Sequence, residues 1–427
     1  MNVLAISFPF PPMALPRSIQ VARLLSGLGS AVTLICAETD AIKLDTTIYP
    51  EAEREVEKLV RVKFTAPPLS KQFSRVLYRL SRKRWNERYR NPDQYRSWVK
   101  PVLETVTGLL ETEEPRFDCI VTFGQPFTCH MIGLELKRRL SLPWVAYFSD
   151  PWIENQFNEY DSHARELNLR SESLVLQQAD MVLMNSSETI DLVFSKYPVE
   201  LKDKARVLPH AFDEELFKEA SSPASDRLLI RHIGEFYGPR TPYPVLRALL
   251  HGRKVDSTRY EDVTFEFIGP YDLGPELDEI LSDPLLPDVR FGGRISYLES
   301  LAAMGQSDGL LLIDAPSEQS VFLPSKLIDY IGSGKPICGI TPPGTANSLI
   351  REIGGLTADP MDIESIERVL ADFVDQVRDR KHSADRLPWG RPDVRSRFAR
   401  VAVQCKFSKY LVECVKSSGR EVEPDAV

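Results

Sequence analysis

Short apolar runs alternate with stretches of helical periodicity along almost the whole chain, and the alternation is interrupted once by a polar break before it restarts. Few folds tolerate that pattern. An apolar run of four to six residues between helical segments suits a strand buried on both faces. Such strands, with helices between them, build a parallel, doubly wound sheet. The first half predicts strands over 3–8, 31–37, 119–123, 144–148, 181–185 and 206–208. Helices are expected over 18–27, 98–110, 128–140, 171–178 and 188–196, with a charged section before the second of them. Residues 217–226 are polar and contain Ser and Pro, and read as a linker. The second half predicts strands over 228–233, 264–268, 289–291, 309–313, 336–340 and 355–358. Its helices are expected over 244–251, 275–281, 297–304, 325–331, 346–353 and 363–378. One helical stretch over 394–415 follows, and the tail 417–427 reads as disordered. The expectation is an α/β chain of two doubly wound Rossmann-like domains, 1–217 and 226–385, facing a central cleft, with C-terminal helices over 386–416 crossing back to the first. In open α/β sheets ligands sit beyond the carboxyl ends of the strands, so loops leaving strands are where chemistry is sought.

A length of 427 residues fits two domains better than one, and 43% hydrophobic content supports two cores. The net charge of −8 argues against nucleic acid as a partner. Charge is unevenly spread. From Ser70 to Lys100 there are ten Lys and Arg against Glu87 and Asp93, interleaved with Phe73, Tyr78, Trp85, Tyr89, Tyr95 and Trp98. Such a segment can lie on an anionic membrane surface, or simply be a solvated helix pair over the sheet. Six cysteines show no C-x-x-C pair and no metal-ligand spacing with the six histidines, so they read as reduced, mostly buried thiols. The start is apolar but lacks a basic region and a small-residue cleavage site, and reads as a first strand. No apolar run is long enough to span a membrane. The expected location is cytoplasmic, peripheral on the inner face of the plasma membrane if the basic segment is an anchor.

The sharpest chemical signal lies in residues 321–340, VFLPSKLIDYIGSGKPICGI. Pro324 and Ser325 suit the start of a helix, and Gly332-Ser333-Gly334 suits its end. Lys326 and Asp329 fall three apart, on one face of the first turn. A helix N-terminus attracts phosphate, a Lys adds charge, and an Asp can accept hydrogen bonds from two sugar hydroxyls. Phosphate with ribose means a nucleotide. The same residues can also be read as an ordinary Rossmann-type helix with a surface Lys–Asp pair.

This segment, with others in order along the chain, resembles the retaining glycosyltransferases of family 4 (group 1), which have the GT-B fold. The others are Pro11, Pro12 and Arg17 near the start, Asp150-Pro151-Trp152 after a strand, the run 207–213, and the run 234–240. The resemblance implies transfer of a sugar from a nucleotide diphosphate sugar, such as a UDP- or GDP-sugar, to a hydroxyl acceptor, with retention. It implies that Asp329 holds the ribose hydroxyls, and that the backbone and apolar side chain of the loop with Arg294 and Ile295 bracket the base. Gly234 would let backbone approach the diphosphate, with Arg240 and Lys326 neutralising it and acting as catalytic cations. Three positions depart from the family pattern: Val321 replaces an acid, Gly124 stands where many members carry a His, and Glu235 and Thr241 stand where a basic pair is usual. Backbone N–H groups of Val321, Phe322 and Leu323 can still meet a phosphate or the sugar. Asp150 is the candidate to orient the acceptor or take a proton, or else a helix cap. His130, Trp152 and Arg17 are acceptor-side candidates, and each also suits packing. No metal triad or D-x-D pair is evident, so metal-independent transfer is expected, with no cofactor. The acceptor suggested is a lipid-linked glycan or cell-envelope polysaccharide. The rival reading is a catalytically reduced donor-binding or interaction subunit on the same fold. An epimerase on this fold is a third.

Overall fold

The computed structural model describes residues 1–40, 42–65, 91–112, 117–155, 158, 160–217, 226–271, 273–383 and 387–420. Most of the 70–100 basic segment, residues 218–225 of the linker and part of the C-terminal tail therefore lie outside the described residues. The chain divides into two compact units. One comprises Met1–Pro209 with Val403–Val427, and the other His210–Ala402.

The first unit is built on a seven-stranded sheet: β1 (Asn2–Ser7), β2 (Ala31–Glu38), β3 (Lys58–Lys63), β4 (Cys119–Phe123), β5 (Trp144–Tyr147), β6 (Met181–Met184) and β7 (Ala205–Val207). Their spatial order is β3-β2-β1-β4-β5-β6-β7, all parallel. β4 is buried at every residue, CIVTF, as a central strand covered on both faces should be. β3 was not anticipated. Its sequence KLVRVK mixes three charged residues with three apolar ones, which suits a strand at the edge of a sheet. The helix expected over 171–178 begins earlier, at Ser162, where the Asp161 carboxylate caps it by accepting from Ala164 N at 2.8 Å. Its first turns are polar and mostly uncovered, which hid it from a periodicity reading.

The second unit has a six-stranded sheet: β8 (Leu228–Ile233), β9 (Val263–Ile268), β10 (Asp288–Gly292), β11 (Gly309–Ile313), β12 (Ile337–Ile340) and β13 (Leu356–Ala358). The order is β10-β9-β8-β11-β12-β13, again parallel throughout. The single helix expected over 394–415 is two helices, Pro392–Ser396 and Arg400–Ser417. The break has a cause: Phe212 N donates to Phe398 O at 2.9 Å and Arg400 N donates to Phe212 O at 2.9 Å, so the backbone around 399 bridges to 212 instead of continuing the helix. The later helix docks in the first unit, where Gln404 Nε2 donates to Arg23 O and Ser26 O at 2.9 and 2.7 Å.

Each sheet changes winding direction once, between β1 and β4 and between β8 and β11. Loops leaving adjacent strands there diverge to opposite sides and open a crevice, the place where such sheets take ligands. The loops after β1 and β4 carry the approach to Arg17 and the Gly124 turn. Those after β8 and β11 begin with Gly234 and Asp314.

Candidate active site

In the second unit the Ser325–Ser333 helix presents Lys326 and buried Asp329 from its first turn. Pro324 occupies the N-cap and makes no side-chain cap bond, so the anticipated Ser cap does not form; Ser325 is already helical. Gly334 ends the helix at φ 64, a left-handed conformation that glycine adopts without a Cβ clash. Tyr330, one turn on, fixes the helix to the end of β8: Ile233 N donates to its hydroxyl at 2.8 Å. That contact holds the next residue, Gly234, against Lys326. A Cβ on residue 234 would overlap the Lys326 ammonium and lie 2.8 Å from its Cε. Glycine is therefore needed here to leave the ammonium its place, and not for a positive φ.

Around that ammonium stand Arg240, Asp314, Glu235 and His232. The Arg240 guanidinium donates from Nη2 to Asp314 Oδ1 at 2.5 Å and from Nη1 to the Tyr237 hydroxyl at 3.2 Å, and it lies 4.9 Å over the Tyr237 ring. Asp314 Oδ1 also accepts from Ala315 N at 3.0 Å. Arg294 donates to Glu235 at 3.2 Å in an exposed pair. Among the described residues no carboxylate forms an ion pair with Lys326. Burial pushes the Lys326 pKa down to about 7, and the neighbouring Arg240 pushes the same way, while Asp314 and Glu235 oppose it. Arg240 and Lys326 thus stand together at the β8–β11 switch point, an arrangement that suits an anionic ligand.

The loop before the helix is pinned from outside. Ser320 N donates to Pro343 O at 2.9 Å and Thr345 N to Ser320 O at 3.0 Å. Val321 and Phe322 are half-buried and Leu323 is buried. The Phe322 amide donates to Ser320 Oγ at 3.3 Å, so that anticipated phosphate-facing amide already has a partner. Ile295 packs beside the core at the foot of the loop after β10.

In the first unit Arg17 is buried on the Pro16–Leu25 helix, donating to Tyr147 O at 3.1 Å and lying 4.6 Å over the Tyr147 ring. Asp150 follows β5, half-buried, with Ser149 Oγ donating to its Oδ2 at 3.3 Å. Burial pushes its carboxyl pKa up, against the pull of Arg17, which makes it a better proton acceptor than a surface carboxylate. His130 is fully buried on the Thr128–Leu140 helix, yet its ring reaches back to the loop after β4. A Cβ on Gly124 would lie 2.6 Å from His130 Nε2. Nδ1 is 2.8 Å from Thr122 Oγ1, which itself accepts from Trp144 Nε1 at 2.9 Å. Burial, reinforced by Arg17, pushes the imidazole pKa down to about 3, so this ring is neutral and is no base near neutral pH. Trp152 is core: wholly buried, stacked on Phe127 at 4.4 Å and donating to Asn168 Oδ1 at 2.9 Å. It anchors the Asp150 turn and offers an acceptor no surface, which corrects its reading as an acceptor contact.

Thus Gly234, Arg240, Lys326 and the Arg294–Glu235 pair assemble in one unit, and Arg17, His130 and Asp150 in the other. Sequence reasoning missed His232, Asp314 and Tyr330. Asp314 could have been found as a charged residue at the end of an all-apolar strand; His232 and Tyr330 sit inside strand and helix patterns and gave no signal. Among the described residues no group of three or more His, Cys, Asp or Glu is placed to hold a metal ion. All six cysteines are free, and only Cys405 is exposed. No helix of the described residues is long and apolar enough to cross a membrane.

No protein-family model matches the chain, and no curated protein matches it in sequence. Solved structures match it in shape over nearly its whole length. HepE from Anabaena in complex with UDP-glucose is 14% identical, with a TM-score of 0.63 over 97% of this chain and 100% of that one. Sucrose-phosphate synthase from Thermosynechococcus elongatus is 15% identical, with a TM-score of 0.64 over 98% and 100%. The lipopolysaccharide outer core galactosyltransferase WaaB in its apo form is 13% identical, with a TM-score of 0.59 over 97% and 99%. At such identities likeness speaks to the fold, and with two parallel doubly wound sheets of seven and six strands this chain has the GT-B fold.

Proposed function

We propose that this protein is a glycosyltransferase that moves a sugar from a nucleotide diphosphate sugar to a hydroxyl acceptor, with retention and without a metal ion. The observation that carries the reading is the Lys326 ammonium standing over Gly234 at the β8–β11 switch point, beside Arg240. Its support from relatives is that HepE is seen with UDP-glucose, and with UDP and glucose.

On this reading the second unit binds the donor. Lys326 and Arg240 meet the diphosphate, Gly234 admits it, Asp329 accepts from the ribose hydroxyls, and Arg294 and Ile295 border the base. Charge grows on the leaving diphosphate as the glycosidic bond breaks, so Lys326 and Arg240 stabilise the transition state more than the ground state. Arg240 would exchange part of its Asp314 pairing for phosphate. With no enzymic nucleophile suggested, retention fits a front-face displacement in which a departing phosphate oxygen helps take the acceptor proton. The first unit serves the acceptor, with Asp150 orienting its hydroxyl and Arg17 and His130 holding the surroundings. We assign the acceptor to the lipid-linked or cell-envelope glycans, with the basic segment from Ser70 to Lys100 as a membrane contact on the cytoplasmic side; Trp98 is buried in the core of the first unit with Tyr95 packed against it, so these two aromatic residues have no part in that contact.

The rival, a donor-binding subunit without transfer, is favoured by Val321, by Gly124 and by the engagement of Arg240 with Asp314. Purified protein screened for hydrolysis and transfer over UDP- and GDP-sugars separates the two. Turnover of one donor supports transfer, nucleotide binding without turnover supports the rival, and interconversion of donor sugars supports an epimerase.

A further inference from the structure

We propose that Glu172 is the positioning residue for Asp150: its carboxylate fixes the far end of the turn formed by residues 149–153, and so sets where the Asp150 carboxyl stands. The proposal rests on the reading of Asp150 as the group that orients the acceptor hydroxyl. The turn follows β5, and among the described residues no backbone–backbone hydrogen bond joins 149–153 to another element. Backbone polar groups away from water need partners, and here side chains supply them. Asn185, just past β6, donates from Nδ2 to Ser149 O. Asn168 and Glu172 stand one turn apart on the Ser162–Gln178 helix. Asn168 Oδ1 accepts from Trp152 Nε1 at 2.9 Å, and Glu172 Oε2 accepts from Ile153 N at 3.0 Å. Asp150 is thus held from both sides, upstream through Ser149 and downstream through Trp152 and Ile153.

Glu172 is wholly buried, and a carboxylate taken out of water is costly unless its oxygens are well engaged. Both are. Oε1 accepts from the Tyr197 hydroxyl at 2.8 Å and pairs with the Lys196 ammonium at 3.0 Å. Lys196 also lies 3.3 Å from Glu154 Oε1. These partners on Oε1 keep Oε2 turned toward the Ile153 amide. The one backbone group that this carboxylate serves is therefore that of the Asp150 turn. An ionised acceptor holds an amide more strongly than a neutral one, which suits a loop that no strand ladder supports. Ser149 and Arg17 face Asp150, and its burial depends on the course of the same turn.

The test reads Asp150 itself. In protein with 13C-labelled aspartate, the Asp150 carboxyl resonance, assigned by its loss in Asp150→Asn, is titrated with pH. Burial holds that midpoint above the ordinary carboxylate range. Glu172→Asp keeps the charge but withdraws the oxygens by about 1.5 Å, one bond length, and so releases the Ile153 amide. As the turn opens to water, the Asp150 midpoint falls by at least about half a pH unit. Glu172→Gln is the second variant should the first fold poorly. Its lost charge is controlled by Glu154→Gln, which removes a charge from the same cluster and leaves the Ile153 bond in place. Tyr197→Phe removes a partner from the other oxygen and leaves the Asp150 midpoint within about 0.2 unit of wild type. Sugar transfer slows by roughly tenfold in Glu172→Asp while UDP affinity stays within about twofold, and in an Asp150→Ala background the same change costs less than about twofold. An Asp150 midpoint that stays put in both Glu172 variants, or that shifts as far in Tyr197→Phe or Glu154→Gln, overturns the proposal, as does an equal slowing in both backgrounds. Should no donor be turned over by wild type, the transfer reading fails, and the Asp150 midpoint still decides what Glu172 does.

Discussion

Gly234→Ala is the substitution that the site geometry makes most specific. Its added Cβ falls on the Lys326 ammonium and within 2.8 Å of its Cε, so the end of that side chain must move by more than about one ångström, since carbon and its neighbours rarely approach below 3.4 Å. The obstacle is the far end of a flexible chain, which swings aside at small cost. Gly234 does not use positive φ, so alanine suits the backbone. Stability should change by less than about 1 kcal/mol, since a compatible Gly→Ala replacement tends to offset a small strain. Binding should suffer far more. A displaced ammonium loses a charge-assisted hydrogen bond to phosphate, about 1.5–3 kcal/mol, or roughly 10- to 150-fold in nucleotide affinity. Calorimetric titration with UDP and GDP, alongside a thermal melt of the same preparation, reads both numbers. In a Lys326→Met background the same glycine change should cost under about twofold, because the group it displaces is already gone. Unchanged affinity for both nucleotides in Gly234→Ala would falsify the placement of the diphosphate at this corner.

Asp329→Asn should weaken donor nucleotide by about 1.5–3 kcal/mol in the same calorimetric assay, by loss of a charged acceptor for the ribose hydroxyls. Asp150→Ala should bind nucleotide nearly normally yet transfer sugar at least about 100-fold more slowly, the low end for a positioned acid–base group; joint loss of binding and melting temperature would instead make Asp150 structural. The Lys326 pKa is lowered in the fold to about 7 from the ordinary 10.5, so folding carries a penalty that is full below pH 7 and is relieved as pH rises toward 10.5. Lys326→Met should therefore raise the melting temperature at pH 6, by about 3–6 °C for a net 1–2 kcal/mol once solvent access is discounted, and by less at pH 9. For the same reason UDP binding at pH 8 should take up a proton, seen as a dependence of binding enthalpy on the ionisation heat of the buffer; no such dependence would mean that Lys326 is already charged or stays neutral.

Much of the fold was legible because parallel strands covered on both faces cannot hide their composition. GLLLI at β11 is apolar throughout, CIVTF at β4 is apolar but for Thr122, and both are buried throughout. Two of the misses share one cause, weak contrast with water. β3 shows its charged residues at the sheet edge, and the first turns of the Ser162–Gln178 helix bury little. The break at 397–399 is set by backbone pairing with Phe212, almost two hundred positions earlier, and no local pattern encodes that. In the site, Lys326 and Asp329 were readable because helix spacing alone puts them on one face. Asp314, His232 and Tyr330 matter through neighbours on other strands, which only the fold brings together. His130 is the converse case. It lies six residues beyond Gly124 in sequence, yet its ring fills the space that the glycine leaves open.

The central claim is that this chain transfers sugar from a nucleotide diphosphate donor. The most direct measurement incubates purified protein with a panel of UDP- and GDP-sugars and lipid-extract acceptors, without added metal, and follows released nucleotide together with the anomeric configuration of the product. The account predicts that one donor gives nucleoside diphosphate and a product of retained configuration, and that Gly234→Ala and Lys326→Met both depress the rate. Nucleotide that binds at the Lys326 corner but is never turned over, with any donor or acceptor, would contradict it and leave a binding subunit on a GT-B fold.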